Sequence, residues 1–205
     1  MHPKVLGLEA WAVVRKLVRS ERTSGWMLAG GTGLALQLRH LVSEDLDFFR
    51  AGAFDSEQLA VGLADLGRVA VQNRSAGTLH IRLEGLRVSF LAAQAPLLFP
   101  GTRYRGILVA DPRDIAVMKV VAIGGRGSRK DFVDLYFCLR SGGGLDAVFE
   151  MVRRRFRAVD YKEYHLLRSL AFFEDADAEP MPKMLRRVSW TVIRRTIAAE
   201  VKRLS

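Results

Sequence analysis

Residues 30–49, GGTGLALQLRHLVSEDLDFF, constrain this chain more than any other stretch. A glycine pair opens the run, and an extended segment with two aspartates closes it. Because strand side chains alternate between faces, Asp45 and Asp47 share one face and their apolar neighbours share the other. Adjacent carboxylates repel each other, so this pattern predicts a bound cation. Mg²⁺ suits this pair of carboxylates, because the ion usually binds through one or two carboxylates plus substrate phosphates.

The glycine pair predicts a phosphate contact. Residues 26–29 are typical of a short buried strand, and Gly30 and Gly31 are typical of a turn. Thr32 is the predicted N-cap of a helix that continues to His40. A helix N-terminus presents unpaired N–H groups and partial positive charge, so we expect Gly30, Gly31 and Thr32 to hold phosphate.

Each motif alone has a plainer explanation. The sequence GGT at 30–32 could simply begin a helix. Asp45 and Asp47 could lie on a solvated edge strand, where charged side chains discourage aggregation. The apolar residues Leu46, Phe48 and Phe49 argue against a polar edge.

Three blocks in order carry a resemblance to a known family. They are GGT at 30–32, SEDLDFF at 43–49, and a later stretch with Lys119 and RKDFVDLYFCL at 129–139. Together they resemble the nucleotidyltransferase superfamily of the DNA polymerase beta-like fold, and more closely its AbiEii/AbiGii toxin-like family. The resemblance implies an α/β fold, with a small mixed β-sheet nucleotidyltransferase core and helices, followed by an all-helical C-terminal domain.

The resemblance also implies the chemistry. It points to a Mg²⁺-dependent enzyme that moves a nucleotidyl group from an NTP to an acceptor. Asp45 and Asp47 would hold the metal, Ser43 would orient the site, and Lys119 would bind the nucleotide and neutralise its charge. Asp131 would belong to the catalytic cleft, as a general base or as the partner of the lysine.

Structural explanations remain open for the later block. Lys119 lies within an apolar helix and could be a lysine that extends its charge to solvent from a buried stem. Asp131 and Asp134 are three residues apart near a predicted helix N-terminus, where carboxylates complement the helix dipole. We favour this structural role for Asp134 and leave both roles open for Asp131.

Two departures from the family pattern support a second hypothesis. Relatives often carry a third carboxylate on the strand that corresponds to residues 86–91, where this chain has Ser89. Serine is a poor Mg²⁺ ligand beside carboxylate. Relatives also often have a basic residue where this chain has Leu41. The alternative function is therefore a degenerate relative that binds nucleotide or nucleic acid without turnover.

The rest of the chain predicts two parts. We expect an α/β core over 1–110, with strands at 68–73, 78–83, 86–91 and 105–110, and a helical domain over 111–205 that completes the cleft. Residues 5–22 have helical periodicity with an apolar stripe that includes Leu8, Trp11 and Val18. Further helices are expected over 145–157, 160–173 and 183–204.

Charge and composition indicate the partners. The net charge of +10 favours an anionic partner, and the toxin-like resemblance suggests RNA, with tRNA first, or a protein as acceptor, and a cognate antitoxin. No helix-turn-helix signature supports a DNA-binding module. The single cysteine, Cys138, is a predicted core residue. With neither a membrane-spanning segment nor a signal-peptide pattern, the expected location is cytoplasmic, with no membrane partner.

Overall fold

A mixed β-sheet forms the centre of the computed structural model, which describes residues 1–158 and 162–204. Within those residues the sheet has seven strands in the order β3-β4-β5-β2-β1-β7-β6. The strands are β1 Met27–Leu28, β2 Asp45–Ala51, β3 Val69–Ser75, β4 Thr78–Leu83, β5 Leu86–Ala93, β6 Thr102–Tyr104 and β7 Ile107–Val109.

Helices precede, interrupt and follow this sheet. They are α1 Leu8–Arg19, α2 Gly30–Leu38, α3 Ser56–Leu63, α4 Pro112–Arg126, α5 Arg129–Ser141, α6 Gly144–Arg155, α7 Glu163–Leu170, α8 Glu174–Ala178 and α9 Trp190–Leu204. The predicted fold class, a mixed α/β core followed by a helical C-terminal region, is confirmed. The boundary between 110 and 111 stays a prediction, because the buried apolar residues form one cluster from Val5 to Val201.

Strand β2 lies inside the sheet and not at its edge. It pairs in parallel with β5 and antiparallel with β1, which excludes the solvated edge strand considered above. Leu46 and Phe48 are buried, and Phe48 stacks on Phe90 with ring centroids 5.5 Å apart. This apolar packing fixes the strand's rotation, so Asp45 and Asp47 must face the opposite side.

The predicted strands are found with shifted ends. Strand β4 coincides with 78–83, whereas β3 and β5 extend past their predicted ends by two residues each. The prediction for 105–110 was only partly right, because Arg105 and Gly106 have φ of +48° and +88° and form a turn between β6 and β7. Strand β6 was missed because three residues are too few to show periodicity.

The predicted N-cap at Thr32 was wrong. Helix α2 begins three residues earlier, at Gly30, with Ala29 as its N-cap, and it ends at Leu38 instead of His40. Thr32 is therefore a helical residue, and its side chain is buried. The helix can begin early because Gly30 adopts a φ of +58°, which costs glycine little.

The C-terminal helix predicted over 183–204 was too long. Helix α9 begins only at Trp190. The segment before it is extended, and Leu41 forms a bridge with Met184. The Val42 N–H donates to the Lys183 carbonyl at 2.9 Å, and the Leu185 N–H donates to the His40 carbonyl at 2.8 Å. These long-range bonds satisfy backbone groups that a helix would have paired internally.

The helices predicted over 5–22 and 160–173 correspond in part to α1 and α7. Helix α1 buries Trp11 but leaves Leu8 and Val18 exposed, so part of the predicted apolar stripe was wrong. The predicted helix over 160–173 starts at a residue outside the described part of the chain, and α7 covers Glu163–Leu170 within it.

The structure also bears on the single cysteine and on the apolar character of the helices. Cys138 is buried in α5, as predicted for a core residue. In the described part of the chain, no helix has both the length and the apolar character needed to cross a membrane.

Candidate active site

A cleft of about 780 Å³ lies between one face of the sheet and helices α4 and α5. Six predicted site residues line it: Gly30, Gly31, Asp45, Asp47, Lys119 and Asp131. They come from α2, β2, α4 and α5, so tertiary folding brings together blocks that are distant in sequence. Thr32 and Ser43 are not among the lining residues.

Gly30 makes room for the carboxylate of Asp47. A Cβ atom at position 30 would lie 2.7 Å from Asp47 Oδ2. The Ala29 N–H also donates to the Asp47 carbonyl at 2.9 Å, which ties the start of α2 to β2. The glycine is therefore required by both its backbone conformation and the close approach of Asp47.

Two cations face the other carboxylate. Arg87 Nε donates to Asp45 Oδ1 at 2.6 Å, and Lys130 Nζ lies 4.0 Å from Asp45 Oδ2. A Cβ at Gly31 would lie 3.0 Å from Lys130 Cε, so this lysine also borders the N-terminus of α2. Positive charge therefore surrounds the space between the glycine turn and the aspartates.

The pair of aspartates fits a divalent metal that is shared with a substrate. Both carboxylates line the cleft from one face of β2, and that of Asp47 makes no hydrogen bond or ion pair with any described residue. The described residues include no group of three or more metal-ligating side chains. Two carboxylates suffice for Mg²⁺ when phosphate oxygens and water complete its coordination.

Thr32 and Ser43 lie behind the cleft. Thr32 Oγ1 donates a hydrogen bond to either Ser43 Oγ, 2.5 Å away, or the carbonyl of Asp45. Both side chains are buried. These contacts hold the start of β2 against α2 and thereby fix where Asp45 emerges.

A buried ionic network joins α4 and α5. Lys119 Nζ lies 2.7 Å from Asp131 Oδ1 and 2.6 Å from Asp134 Oδ2. His40 Nε2 donates to Asp134 Oδ1 at 2.7 Å. Arg126 Nε donates to Asp131 Oδ2 at 2.8 Å. Asp134 is thus a structural residue, as favoured from the sequence, although its partners are side chains and not the helix dipole.

The ionised forms dominate in this network. Burial by itself would lower the pKa of Lys119, but Asp134 and Asp131 outweigh it and raise that pKa above its usual value. Burial would raise the pKa of Asp131, but Lys119 and Arg126 outweigh it and hold the pKa well below its usual range. Asp131 is therefore a weak base, and Lys119 remains a cation at the cleft wall.

Ser89 lies beside the face of β2 that carries Asp45 and Asp47. Strand register pairs Ser89 with Asp47 on one side and with His80 on the other. Ser89 Oγ and His80 Nδ1 are 3.0 Å apart, and both residues line the cleft. Next to Asp47, the adjacent strand thus presents a hydroxyl that is hydrogen-bonded to an imidazole and not a carboxylate.

Sequence reasoning missed five charged or imidazole side chains of the cleft: Arg126, Lys130, Arg87, His80 and Arg155. Lys130 had a detectable signal, since it directly precedes Asp131 in the third block. Arg87 and His80 had none, because their proximity to the aspartates depends on the β2–β5–β4 register.

Comparison with known sequences identifies a family. The family model described as nucleotidyl transferase AbiEii toxin, type IV toxin–antitoxin system, matches residues 82–203, which is more than half of the chain. An uncharacterized protein of Aquifex aeolicus (strain VF5) is 37% identical over 171 residues, which cover 81% of this chain and 82% of that protein. The matched segment contains Lys119 and Asp131 but begins after Asp45 and Asp47.

Comparison with solved structures shows a shared fold. MenT4, a nucleotidyltransferase toxin from Mycobacterium tuberculosis H37Rv, has a TM-score of 0.59 at 15% identity, over 94% of this chain and 82% of that chain. The antibiotic-resistance factor ANT(2'')-Ia has a TM-score of 0.55 at 15% identity, over 73% of this chain and 92% of that chain. Both sequences are distant, so these likenesses concern architecture.

Proposed function

Since this chain belongs to the AbiEii family of nucleotidyl transferase toxins and is a nucleotidyltransferase, we propose that it moves a nucleotidyl group from an Mg²⁺-bound NTP to an RNA, such as tRNA, or a protein. We also propose a bacterial toxin–antitoxin or phage-defence setting, with a cognate antitoxin as partner. The observation that carries the catalytic proposal is the convergence of Asp45, Asp47 and Gly30 with Lys119 and Lys130 in one cleft.

Asp45 and Asp47 are the residues that would hold Mg²⁺. When bound, the ion would neutralise triphosphate charge and stabilise the developing charge on the pyrophosphate leaving group. Arg87 pairs with Asp45. With Mg²⁺ bound, Arg87 would either share the Asp45 carboxylate with the ion or turn towards a phosphate oxygen.

The first turn of α2 and Lys130 would hold the triphosphate. The first N–H groups of a helix have no intrahelical acceptor, and Ala29 supplies no side-chain cap for them. Lys130 adds a full charge beside Gly31. Thr32 and Ser43 would act indirectly, because their hydroxyls are used to position β2.

Lys119 and Asp131 would form the electrostatic wall of the cleft. Asp131 holds the ammonium group of Lys119 and the guanidinium group of Arg126, so we assign it to positioning these cations and not to proton abstraction. Their fixed charges need little rearrangement as phosphate charge develops, which favours the transition state.

A proton must leave the acceptor hydroxyl as its oxygen attacks the α-phosphate. We assign the removal of this proton to the pair of Ser89 and His80. Ser89 Oγ would accept the acceptor proton while its own proton passes to His80 Nδ1. Histidine suits this step because its usual pKa lies near neutrality.

A second candidate function is nucleotide or nucleic-acid binding without turnover. The specific observation in its favour is Ser89 beside Asp47, because the site then offers two carboxylates instead of three. Leu41 no longer supports it: this residue is fully buried against the C-terminal segment, where a basic side chain would be unsolvated.

Binding of each labelled NTP, with and without Mg²⁺, tests the proposed site. Asp45→Asn and Asp47→Asn keep the side-chain shape but remove charge, so we expect Mg²⁺-dependent affinity to fall by more than about tenfold, as direct ligands should matter at least as much as outer-shell groups. Asp65→Asn, at an exposed carboxylate outside the cleft lining, is the matched control. Wild-type affinity in both Asp45 and Asp47 variants would place the site elsewhere.

Turnover separates the two candidate functions. We expect label from one NTP to be transferred to total cell RNA or protein by the wild type and not by either Asp→Asn variant. Mg²⁺-dependent NTP binding without any transfer would favour the degenerate relative.

A further inference from the structure

The cleft has two chemically different ends. The aspartates and lysines described above occupy one end. Phe49 and Leu91 on the sheet face, together with Met118, Val121 and Ala122 on α4, provide apolar lining. Along β5, Ser89 and Ala93 are four residues apart, which is about 13 Å of extended strand. A nucleotide with its triphosphate at the aspartates would therefore direct its base towards Ala93 and beyond.

Arg155 lies at this second end of the cleft. It is the last residue of α6, it lines the cavity, and only 3% of its side chain is exposed. Arg155 Nη2 donates to the Ala95 carbonyl at 3.2 Å. Arg155 Nη1 is 3.7 Å from Asp114 Oδ1, which is too long for a hydrogen bond.

The nearby carboxylate is already used by the backbone. Asp114 accepts hydrogen bonds from the N–H groups of Leu98 and Phe99 at 2.9 to 3.1 Å. Asp114 thus holds the connector after β5, and it offsets part of the charge of Arg155 without accepting its hydrogen bonds.

Two donors of Arg155 are left without an acceptor. Nε and Nη1 are buried, and no acceptor for them exists among the described residues. Leaving a buried donor unpaired destabilises the fold, and the effect is larger for a charged group. Nη2 holds the connector and Nη1 lies within ion-pair distance of Asp114, but neither Nε nor Nη1 donates a hydrogen bond to any described residue. At a cleft wall, an acceptor from outside the chain, either a water or a ligand, can satisfy such a donor.

We propose that Arg155 reads the nucleobase, by donating a hydrogen bond to a carbonyl oxygen of the base. This inference rests on the proposed function, since it requires an NTP in the cleft. Guanine, cytosine and uracil carry such an oxygen. Adenine does not, and its exocyclic amino group is itself a donor that would face the donors of Arg155. The enzyme therefore discriminates against ATP.

Binding of four NTPs to the wild-type chain tests the discrimination. With Mg²⁺ present, isothermal titration should give ATP an affinity about 10- to 100-fold below that of the best of GTP, CTP and UTP, the range expected for one hydrogen bond to a charged group. Comparison among these three identifies which base carbonyl fits. Inosine triphosphate has a carbonyl oxygen in place of the 6-amino group of ATP, so it separates this contact from purine size without any mutation.

Arg155→Lys tests the residue itself. Lysine keeps a positive charge near Asp114 but lacks Nε and the guanidinium fork. In this variant the affinity for the best NTP and the affinity for ATP should therefore become about equal. Arg154→Lys, at the exposed neighbouring position, should keep the wild-type ratio. The ratio is informative even if only part of the Arg155 variant folds, because every NTP is measured on the same preparation.

The outcomes distinguish this inference from the proposed function. If the wild type binds no NTP, the proposed function itself fails. If GTP, CTP, UTP and ATP bind equally, or if inosine triphosphate binds as weakly as ATP while GTP binds tightly, base reading through the carbonyl is wrong and the proposed function stands. A wild-type ratio in Arg155→Lys would mean that another residue reads the base. Equal losses for all four NTPs in that variant would assign Arg155 to a phosphate or ribose oxygen and overturn the proposal.

Discussion

At position 30, the absence of a side chain makes room for the carboxylate of Asp47. Gly30 has a φ of +58°, and a Cβ there would lie 2.7 Å from Asp47 Oδ2. Gly52 has a similar φ of +79°, but no atom lies within 4 Å of its hypothetical Cβ. The two glycines share the same backbone requirement, and only one of them touches the proposed metal site.

This pair gives a controlled test of the carboxylate geometry. Gly30→Ala and Gly52→Ala should each cost about 1–2 kcal/mol of unfolding free energy, because both force alanine into a left-handed conformation. Only Gly30→Ala should also displace Asp47 and lower Mn²⁺ affinity, by about tenfold or more. Urea unfolding and Mn²⁺ titration measure the two effects. Equal Mn²⁺ affinities in the two variants would show that Asp47 does not bind the metal from its present position.

Helices α4 and α5 are joined by buried charges as well as by apolar packing. Lys119 on α4 faces Asp131 and Asp134 on α5, and His40 closes the network from the segment after α2. Removing Lys119 leaves two buried carboxylates with Arg126 and His40 as basic partners, and breaking a buried ion pair in this way typically costs about 3–5 kcal/mol. Loss of activity in a Lys119 variant would therefore combine lost catalysis with lost stability.

Unfolding measurements separate these contributions. Lys119→Met should lower the free energy of unfolding by about 3–5 kcal/mol. Lys16→Met removes one partner of the exposed Lys16–Glu84 pair and should cost only about 0–1 kcal/mol. Urea denaturation followed by circular dichroism provides both values. Equal small losses would mean that water reaches the Lys119 network.

The same network predicts an acid-sensitive fold. Lys119 and the neighbouring donors outweigh burial and lower the pKa values of Asp131 and Asp134. A carboxyl with a lower pKa when folded stabilises the fold above its unfolded pKa of about 3.9, and this contribution is lost as pH falls through the folded value. The free energy of unfolding should thus decline below about pH 5. Asp134→Asn should decline less steeply, and a slope as steep as that of the wild type would contradict the assignment.

Local sequence patterns predicted which helices and strands form better than they predicted where each one ends or which of its faces is buried. Helical periodicity located α1, yet Leu8 and Val18 of the predicted stripe are exposed, while Val13 and Leu17 are buried. Apolar residues occur on several sides of this helix, so periodicity alone could not select the face that packs. The C-terminal helix lost its predicted first turns because residues 183–185 pair with the segment around Leu41.

Across the whole molecule, the excess positive charge is only partly available to a partner. Arg153 pairs with Glu150 and Glu163, and Arg194 pairs with Asp177. Arg154 and Arg195 are exposed and make no ion pair with any described residue. If RNA is the acceptor, Arg154 and Arg195 are better placed to contact its phosphates, because no carboxylate of the described residues competes for them.

Matched double variants test this distinction. Arg154→Gln/Arg195→Gln should weaken RNA binding and reduce the slope of log K against log salt by up to about two, since each lost phosphate contact removes about one. Arg153→Gln/Arg194→Gln removes the same formal charge and should have the smaller effect, while Mg-NTP binding stays near wild type in both. Filter binding at several salt concentrations measures the slopes. Negligible RNA affinity of the wild type in low salt would favour a protein acceptor or an acidic antitoxin.

Features that depend on neighbouring residues could be predicted from local patterns in the chain. The alternation in Asp45–Ala51 placed both aspartates on one face, and the order of the three blocks indicated the family. The glycine pair indicated that a helix begins nearby, although the N-cap was wrongly predicted at Thr32. Tertiary structure decided the contacts that depend on strand register and helix packing. The β2–β5–β4 register placed Ser89, Arg87 and His80 beside the aspartates, and the packing of α6 against the connector buried Arg155 at the far end of the cleft. These contacts join residues far apart in the chain, and local propensity carries no information about which distant residues will meet.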